Sequence, residues 1–254
     1  MNDMDPRLVE VFFEVQRGLP RQGPGDAGST AKALSLCAEL PRDAAILDIG
    51  CGPGMQTLTL TEKTAGKIVA VDTCDEYLEQ LRERVGEASL SDRVKVMHAD
   101  MSALEFAHES FDLIWSEGAA YCMGVSEALQ AWRPLLRVGG YLAFTELVWL
   151  TDEPPEEVAA FFGSEYPAMG NVEAIRQMLS GSGYKLVDDF TLPDSAWWTD
   201  YYAPLVAKLP ALKQKYEGDE AALSIVGMTD REIDMRRRFS SAYGYQFFVA
   251  CKDG

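Results

Sequence analysis

Histidine is nearly missing from this chain: His98 and His108 are the only two in 254 residues. With so few, and with Cys37, Cys51, Cys74, Cys122 and Cys251 scattered and never spaced C-x-x-C, no structural zinc or other metal site is expected. Unpaired spacing and an odd count fit free thiols in a reducing compartment. Basic charge is also short, since 23 Lys and Arg stand against 40 Asp and Glu, a formal net charge of −17. Gripping nucleic acid requires a basic face that releases phosphate counterions, so nucleic-acid and anionic-membrane partners are disfavoured. The arginine-rich run Arg231 to Arg238 reads instead as a helix face docking onto an acidic surface. No apolar run is long enough to span a bilayer. Met1 to Pro6 is acidic and lacks the pattern of a signal peptide, which makes the cytoplasm the expected location.

Against this background, Ile46-Leu47-Asp48-Ile49-Gly50-Cys51-Gly52-Pro53-Gly54 stands out. It reads as a buried strand running into a glycine turn that opens a helix, the layout of a nucleotide-type cofactor site. Position 55 is Met where the dinucleotide fingerprint needs its third glycine, which argues against NAD. Three more β-branched runs follow and deliver acids to one sheet edge: Lys67 to Asp72, Val94 to Met101 with Asp100, and Phe111 to Trp115 followed by Ser116-Glu117-Gly118. In open α/β sheets ligands bind outside the carboxyl ends of the strands, where these acids converge.

In these motifs the chain resembles the class I S-adenosylmethionine-dependent methyltransferases. The resemblance covers residues 28–147 most closely. It extends across the chain to a bacterial small-molecule methyltransferase group through Arg21 to Gly25, Trp115 to Ala119 and Tyr243 to Tyr245. It implies S-adenosylmethionine as cofactor and S-adenosylhomocysteine as product. Asp48, Gly50, Cys51, Gly52 and Gly54 match the motif that holds the amino-acid part. Asp72 matches the acid on the ribose hydroxyls, and Asp100 with Met101 the pair flanking the adenine. Gln22, Gln56, Thr73 and Ser116 adjoin these motifs and complete the expected cofactor set. Leu136 to Leu142 matches the turn before a fifth strand. The implied fold is α/β, a seven-stranded Rossmann-like methyltransferase sheet with six parallel strands, an antiparallel last one, helices on both faces and a small cap.

The expected organisation is a single domain over 1–254, with a lid segment at 1–28 and cap insertions at 151–170 and 193–242. Helices are expected at Asp5 to Gly18 and at Ser29 to Leu40, the latter capped by Ser29. Strands five to seven are expected at Tyr141 to Val148, Lys185 to Phe190 and Tyr245 to Cys251.

Methyl transfer asks mainly for placement, and for a base only where the acceptor must lose a proton. Carboxylates and tyrosines supply the candidates. Glu117 lies past strand four with Tyr121 close behind it, and Glu146 sits in an apolar strand where a carboxylate needs a partner or a wet pocket. Trp149, Trp197, Trp198, Tyr201 and Tyr202 are candidates for binding a planar or cationic acceptor; singly, each also reads as core packing. Adjacent Trp197 and Trp198 cannot both face one core, so one ring should meet a cleft, an interface or water. His98 reads as a packing residue. Exposed aromatic insertions leave a homodimer open. The expected activity is transfer of a methyl group to a small acceptor. Two alternatives are a cofactor-binding protein without turnover and a nucleotide-cofactor oxidoreductase.

Overall fold

A central sheet in the order β3-β2-β1-β4-β5-β7-β6 organises the chain. The strands are β1 (Ala45–Ile49), β2 (Lys67–Asp72), β3 (Val94–His98), β4 (Phe111–Glu117), β5 (Leu136–Trp149), β6 (Tyr184–Thr191) and β7 (Tyr243–Lys252). The structure, a computed structural model, describes residues 5–253; Met1 to Met4 of the expected lid segment and Gly254 lie outside them. Strand β7 runs antiparallel to β5 and β6, between which it is inserted, and the pairs from β3 through β5 are parallel, as the resemblance implies.

The strands read as nearly continuous apolar runs because both faces are covered. On one face Ile46, Ile68, Leu113 and Trp115 pack with Ala33, Leu60, Leu78 and Leu81 from helices α2 (Ala27–Ser35), α3 (Met55–Lys63) and α4 (Asp75–Glu87). On the other, Leu47, Ile49 and Ile114 meet Leu129, Trp132, Ile175 and Leu179. Alternate residues of each strand thus bury on opposite faces.

A third core is the cap. It joins α1 (Pro6–Gln16), α6 (Glu156–Glu165), α8 (Ser195–Trp197), a π turn at Trp198–Tyr202, α9 (Ala203–Lys215) and α10 (Glu220–Phe239) through Val11, Val15, Phe162, Trp197, Tyr202, Leu205, Leu209 and Val226. Helices α5 (Val125–Trp132) and α7 (Val172–Gly181) complete the set. The Lys208 ammonium of α9 bonds the carbonyls of Glu14, Val15 and Arg17, filling orphan acceptors at the end of α1. Arg236 of α10 is buried, reaches Asp194 at 2.8 Å and stacks 4.1 Å from the Trp197 ring centroid. The arginine run therefore does dock on acids, though Arg236 does so inside the cap rather than on a solvated face.

Several expectations need correction. Helix α2 is capped by Asp26, whose carboxylate accepts from the Ser29 amide at 2.7 Å, so Ser29 is the third helical residue and not the cap. The segment 136–142 is part of β5 itself; the β4–β5 register jumps there, from Phe111 opposite Leu136 to Leu113 opposite Tyr141. His98 is exposed and pairs with Asp75 at 2.9 Å instead of packing.

Candidate active site

A cavity of about 870 Å³ opens at the carboxyl ends of β1, β2 and β4 and is roofed by α1, the segment after it, and the cap. The glycine turn forms its floor. Gly50, Gly52 and Gly54 have φ of +70°, +51° and +89°, a region side chains rarely adopt. A Cβ on Gly50 would lie 2.3 Å from Ala119 Cβ, and one on Gly54 would lie 2.1 Å from Leu81 Cδ1. At Gly52 the nearest atom is Gln22 Cγ, 3.9 Å away, so the turn faces open space beneath the lid. Asp72 ends β2 against the same turn; its Oδ2 accepts from the Gly52 amide and its Oδ1 from the Cys74 amide, both at 2.9 Å.

These residues fit the cofactor that the resemblance implies. The chain presents a close-approach glycine cradle at the start of α3, and a half-buried carboxylate one strand over. Gly50, Cys51, Gly52, Gln56, Asp72, Thr73, Met101 and Gln22 all line the cavity. Asp48, Gly54, Ser116 and Asp100 do not. Asp48 is wholly buried behind the turn, where Thr57 Oγ1 donates to it at 2.5 Å and Gln56 Nε2 at 3.5 Å. It shapes the turn from behind. Asp100 is turned toward solvent, accepting from the Ser102 amide and hydroxyl at 2.8 and 2.7 Å.

The segment that follows α1 is tied to the sheet by Glu117. Its Oε2 accepts from Arg21 Nη1 at 2.8 Å, and its Oε1 from Thr30 Oγ1 at 2.7 Å and Trp115 Nε1 at 2.9 Å. Both side chains of the ion pair are 5% exposed. Three donors, one of them a buried guanidinium, thus occupy both oxygens of this carboxylate and give Glu117 a clamping role. Gly25 lies against this pair, and its amide donates to Ala196 O at 3.0 Å, tying the lid to the cap. Gln22 continues the lid, accepting from the Tyr77 hydroxyl at 2.8 Å.

Glu146 is not among the residues that line the cavity. It is 2% exposed, Oε1 accepts from the Leu147 amide, and Oε2 has no partner. Burial pushes its pKa from 4.5 up to about 7, and pushes Asp48 from 3.8 up to about 7. A carboxyl that holds its proton more tightly when folded adds stability that is complete below its unfolded pKa and is lost as pH rises through the folded one. Glu146→Gln should therefore flatten the fall in stability between about pH 4.5 and 7, which urea unfolding midpoints across that range measure.

Of the aromatic candidates, Trp197, Tyr201, Tyr202 and Tyr121 line the cavity, whereas Trp149 and Trp198 do not. Trp149 packs edge-on against Phe162, and Trp198 Nε1 donates to Asp194 at 3.0 Å on the cap surface. The adjacent tryptophans diverge as expected, with Trp197 toward the cavity. Sequence reasoning missed Gln16, Tyr77, Phe161, Glu165, Met228, Glu232 and Tyr245, which also line it. One signal was present: Ile225, Met228, Thr229 and Glu232 recur at helical spacing and share that wall.

Residues 46–140 match the methyltransferase domain family. The chain is 34% identical over 104 residues to methyltransferase GfsG of Streptomyces halstedii, covering 41% of this chain and 37% of that protein. It is 25% identical over 207 residues to a sterol 24-C-methyltransferase of Kluyveromyces lactis, covering 78% and 54%. Against a malonyl-[acyl-carrier protein] O-methyltransferase of Enterobacter lignolyticus it is 31% identical over 195 residues, covering 76% and 73%. The chain thus spans about a third and a half of the first two relatives. Among solved structures, a Geobacter sulfurreducens methyltransferase with S-adenosyl-L-homocysteine superposes with a TM-score of 0.78 at 19% identity, covering 98% of this chain and 99% of that one.

Proposed function

Because this chain belongs to the class I S-adenosylmethionine-dependent methyltransferases, we propose that it transfers a methyl group from that cofactor to a small molecule held between the glycine turn and the cap. The observation that carries the reading is the Asp72–Gly52 contact at 2.9 Å on the floor of a lidded cavity. Relatives named for carbon and for oxygen acceptors do not select the nucleophile.

The cofactor would supply an already activated methyl group on a sulfonium, so the chain's own work is placement. In this reading Gly50 to Gln56 cradle the amino-acid end, Asp72 accepts from the ribose and Met101 packs on the base. The Arg21–Glu117 pair keeps the lid down and water out. The Tyr121 hydroxyl, on the cavity wall, orients the acceptor as a hydrogen-bonding group. The five free cysteines support a cytoplasmic location, and among the described residues no helix is long and apolar enough to cross a membrane.

Calorimetric titration of stripped protein with S-adenosylmethionine, S-adenosylhomocysteine and NADH is the test. Saturable one-to-one binding of the adenosyl pair and no response to NADH is expected; folded protein that ignores the adenosyl pair overturns the proposal. Turnover against candidate acceptors then separates an enzyme from a protein that only binds cofactor. Asp72→Ala should weaken S-adenosylhomocysteine binding roughly tenfold to a hundredfold, the worth of hydrogen bonds to a charged group, with the circular dichroism spectrum unchanged.

A further inference from the structure

The cap side of the cavity has one-sided polar chemistry. Glu232 of α10 faces it, with Oε1 accepting from the Tyr202 hydroxyl at 2.7 Å and no other hydrogen bond to the carboxylate among the described residues. Burial raises its pKa, Glu165 adds to the effect, and no cation offsets it. Gln16 of α1 is 8% exposed, lines the same space and leaves Oε1 without a partner. Tyr121, Tyr201, Tyr245 and Trp197 supply ring surface. Burial holds the Tyr201 and Tyr245 hydroxyls well above 10, so these rings stay neutral.

The two guanidinium groups that reach the cavity do not balance Glu232. Arg21 is committed to Glu117, and Arg231 is exposed, as is Glu165. A neutral acceptor would leave the Glu232 carboxylate desolvated without a counter-ion, and an anionic one would meet it head on. A cation relieves both, and aromatic faces attract it further.

We infer that the cap side of this cavity binds a small ammonium group, protonated or alkylated, with Glu232 as its counter-ion, the tyrosine and tryptophan rings around it, and Gln16 Oε1 accepting from any N–H that it carries. The inference rests on the methyl-acceptor reading of the cavity and narrows the acceptor class to amines. It makes Glu232 and Gln16 specificity residues.

The test is calorimetric titration of the full chain at pH 8, loaded with S-adenosylhomocysteine, which lacks the sulfonium charge that would repel a cation. Two matched pairs are compared: choline with 3,3-dimethylbutan-1-ol, and tetramethylammonium with tert-butanol. The first pair exchanges a charged nitrogen for carbon at nearly constant shape; the second does so while also turning one methyl into a hydroxyl of similar size. At least one cation should bind about tenfold or more tighter than its neutral partner. Glu232→Gln should abolish that gap while S-adenosylhomocysteine affinity stays within about twofold, since Glu232 stands on a cap helix and is hydrogen-bonded to Tyr202 rather than to the glycine turn. The wild-type comparison decides the matter even if the variant folds poorly. Protein that binds S-adenosylhomocysteine yet prefers neither cation overturns the inference alone; protein that does not bind it overturns the cofactor reading beneath it as well.

Discussion

Replacing Arg21 with methionine is expected to cost about 3–5 kcal/mol of stability, because it strands the Glu117 carboxylate in a site where both partners are 5% exposed. The pair spans 96 residues of sequence, joining the lid to the tip of β4. Thr30 and Trp115 still donate to Glu117 after the change, so the carboxylate keeps its position but loses its counter-charge. Pairing Arg21→Met with Glu117→Gln should recover a large part of the loss, since no bare charge is then left buried. Urea unfolding of the two single variants and the double variant measures this as a coupling energy. A double variant no more stable than Arg21→Met would show that the guanidinium stabilises by packing against Gly25 rather than by charge. In either single variant, binding of S-adenosylhomocysteine should also weaken, because the lid residue Gln22 follows Arg21 directly.

Gly54→Ala should be nearly as damaging, at about 3 kcal/mol, and should remove measurable S-adenosylhomocysteine binding. Two costs combine. A φ of +89° penalises any L side chain by about 1–2 kcal/mol, and a methyl 2.1 Å from Leu81 Cδ1 overpacks a fully buried site for about 1–3 kcal/mol more. Relieving the clash requires moving α3 or α4, and α3 begins at the turn that cradles the cofactor. Gly86→Ala is the matched control. Gly86 lies within α4 with nothing near its Cβ direction, so the same substitution should stabilise by roughly 0.5–1 kcal/mol. Thermal melts with and without S-adenosylhomocysteine distinguish the two. Equal behaviour of the two alanines would refute the conformational argument.

The sheet side of this molecule was readable from sequence for a physical reason. Parallel strands covered on both faces must be apolar throughout, so Ile46 to Ile49, Lys67 to Asp72 and Phe111 to Trp115 announced themselves, and the acids at their ends fell where the topology gathers them. The register jump at 136–141 was hidden because a glycine pair before a strand looks the same whether it turns or bulges. Serine and aspartate are nearly equal as caps, so the letters around α2 let Ser29 read as its cap; the contact of Asp26 with the Ser29 amide separates the two. The commitment of Glu117 to Arg21 was equally invisible, since nothing in a sequence marks a partner so far away. On the cap side, Glu232 sat inside a run rich in both charges, where a carboxylate aimed into a cavity is written in the same letters as one facing water. Trp197 and Trp198 were legible only as a pair that had to diverge, not as to which ring turned inward.

The antiparallel insertion of β7 has a consequence for how this scaffold can vary. Residues 193–242 leave from the end of β6 and return at the start of β7, and these two strands are hydrogen-bonded neighbours, with Thr191 opposite Gln246. The whole second insertion is therefore an enlarged hairpin loop on the sheet. Lengthening or replacing such a loop changes its closure entropy only logarithmically and leaves the strand pairing beneath it untouched. The floor set by β1 and β2 and the cap above it can in this sense change separately. One excursion of the chain can thus be rewritten without disturbing the strands that carry the glycine turn and Asp72.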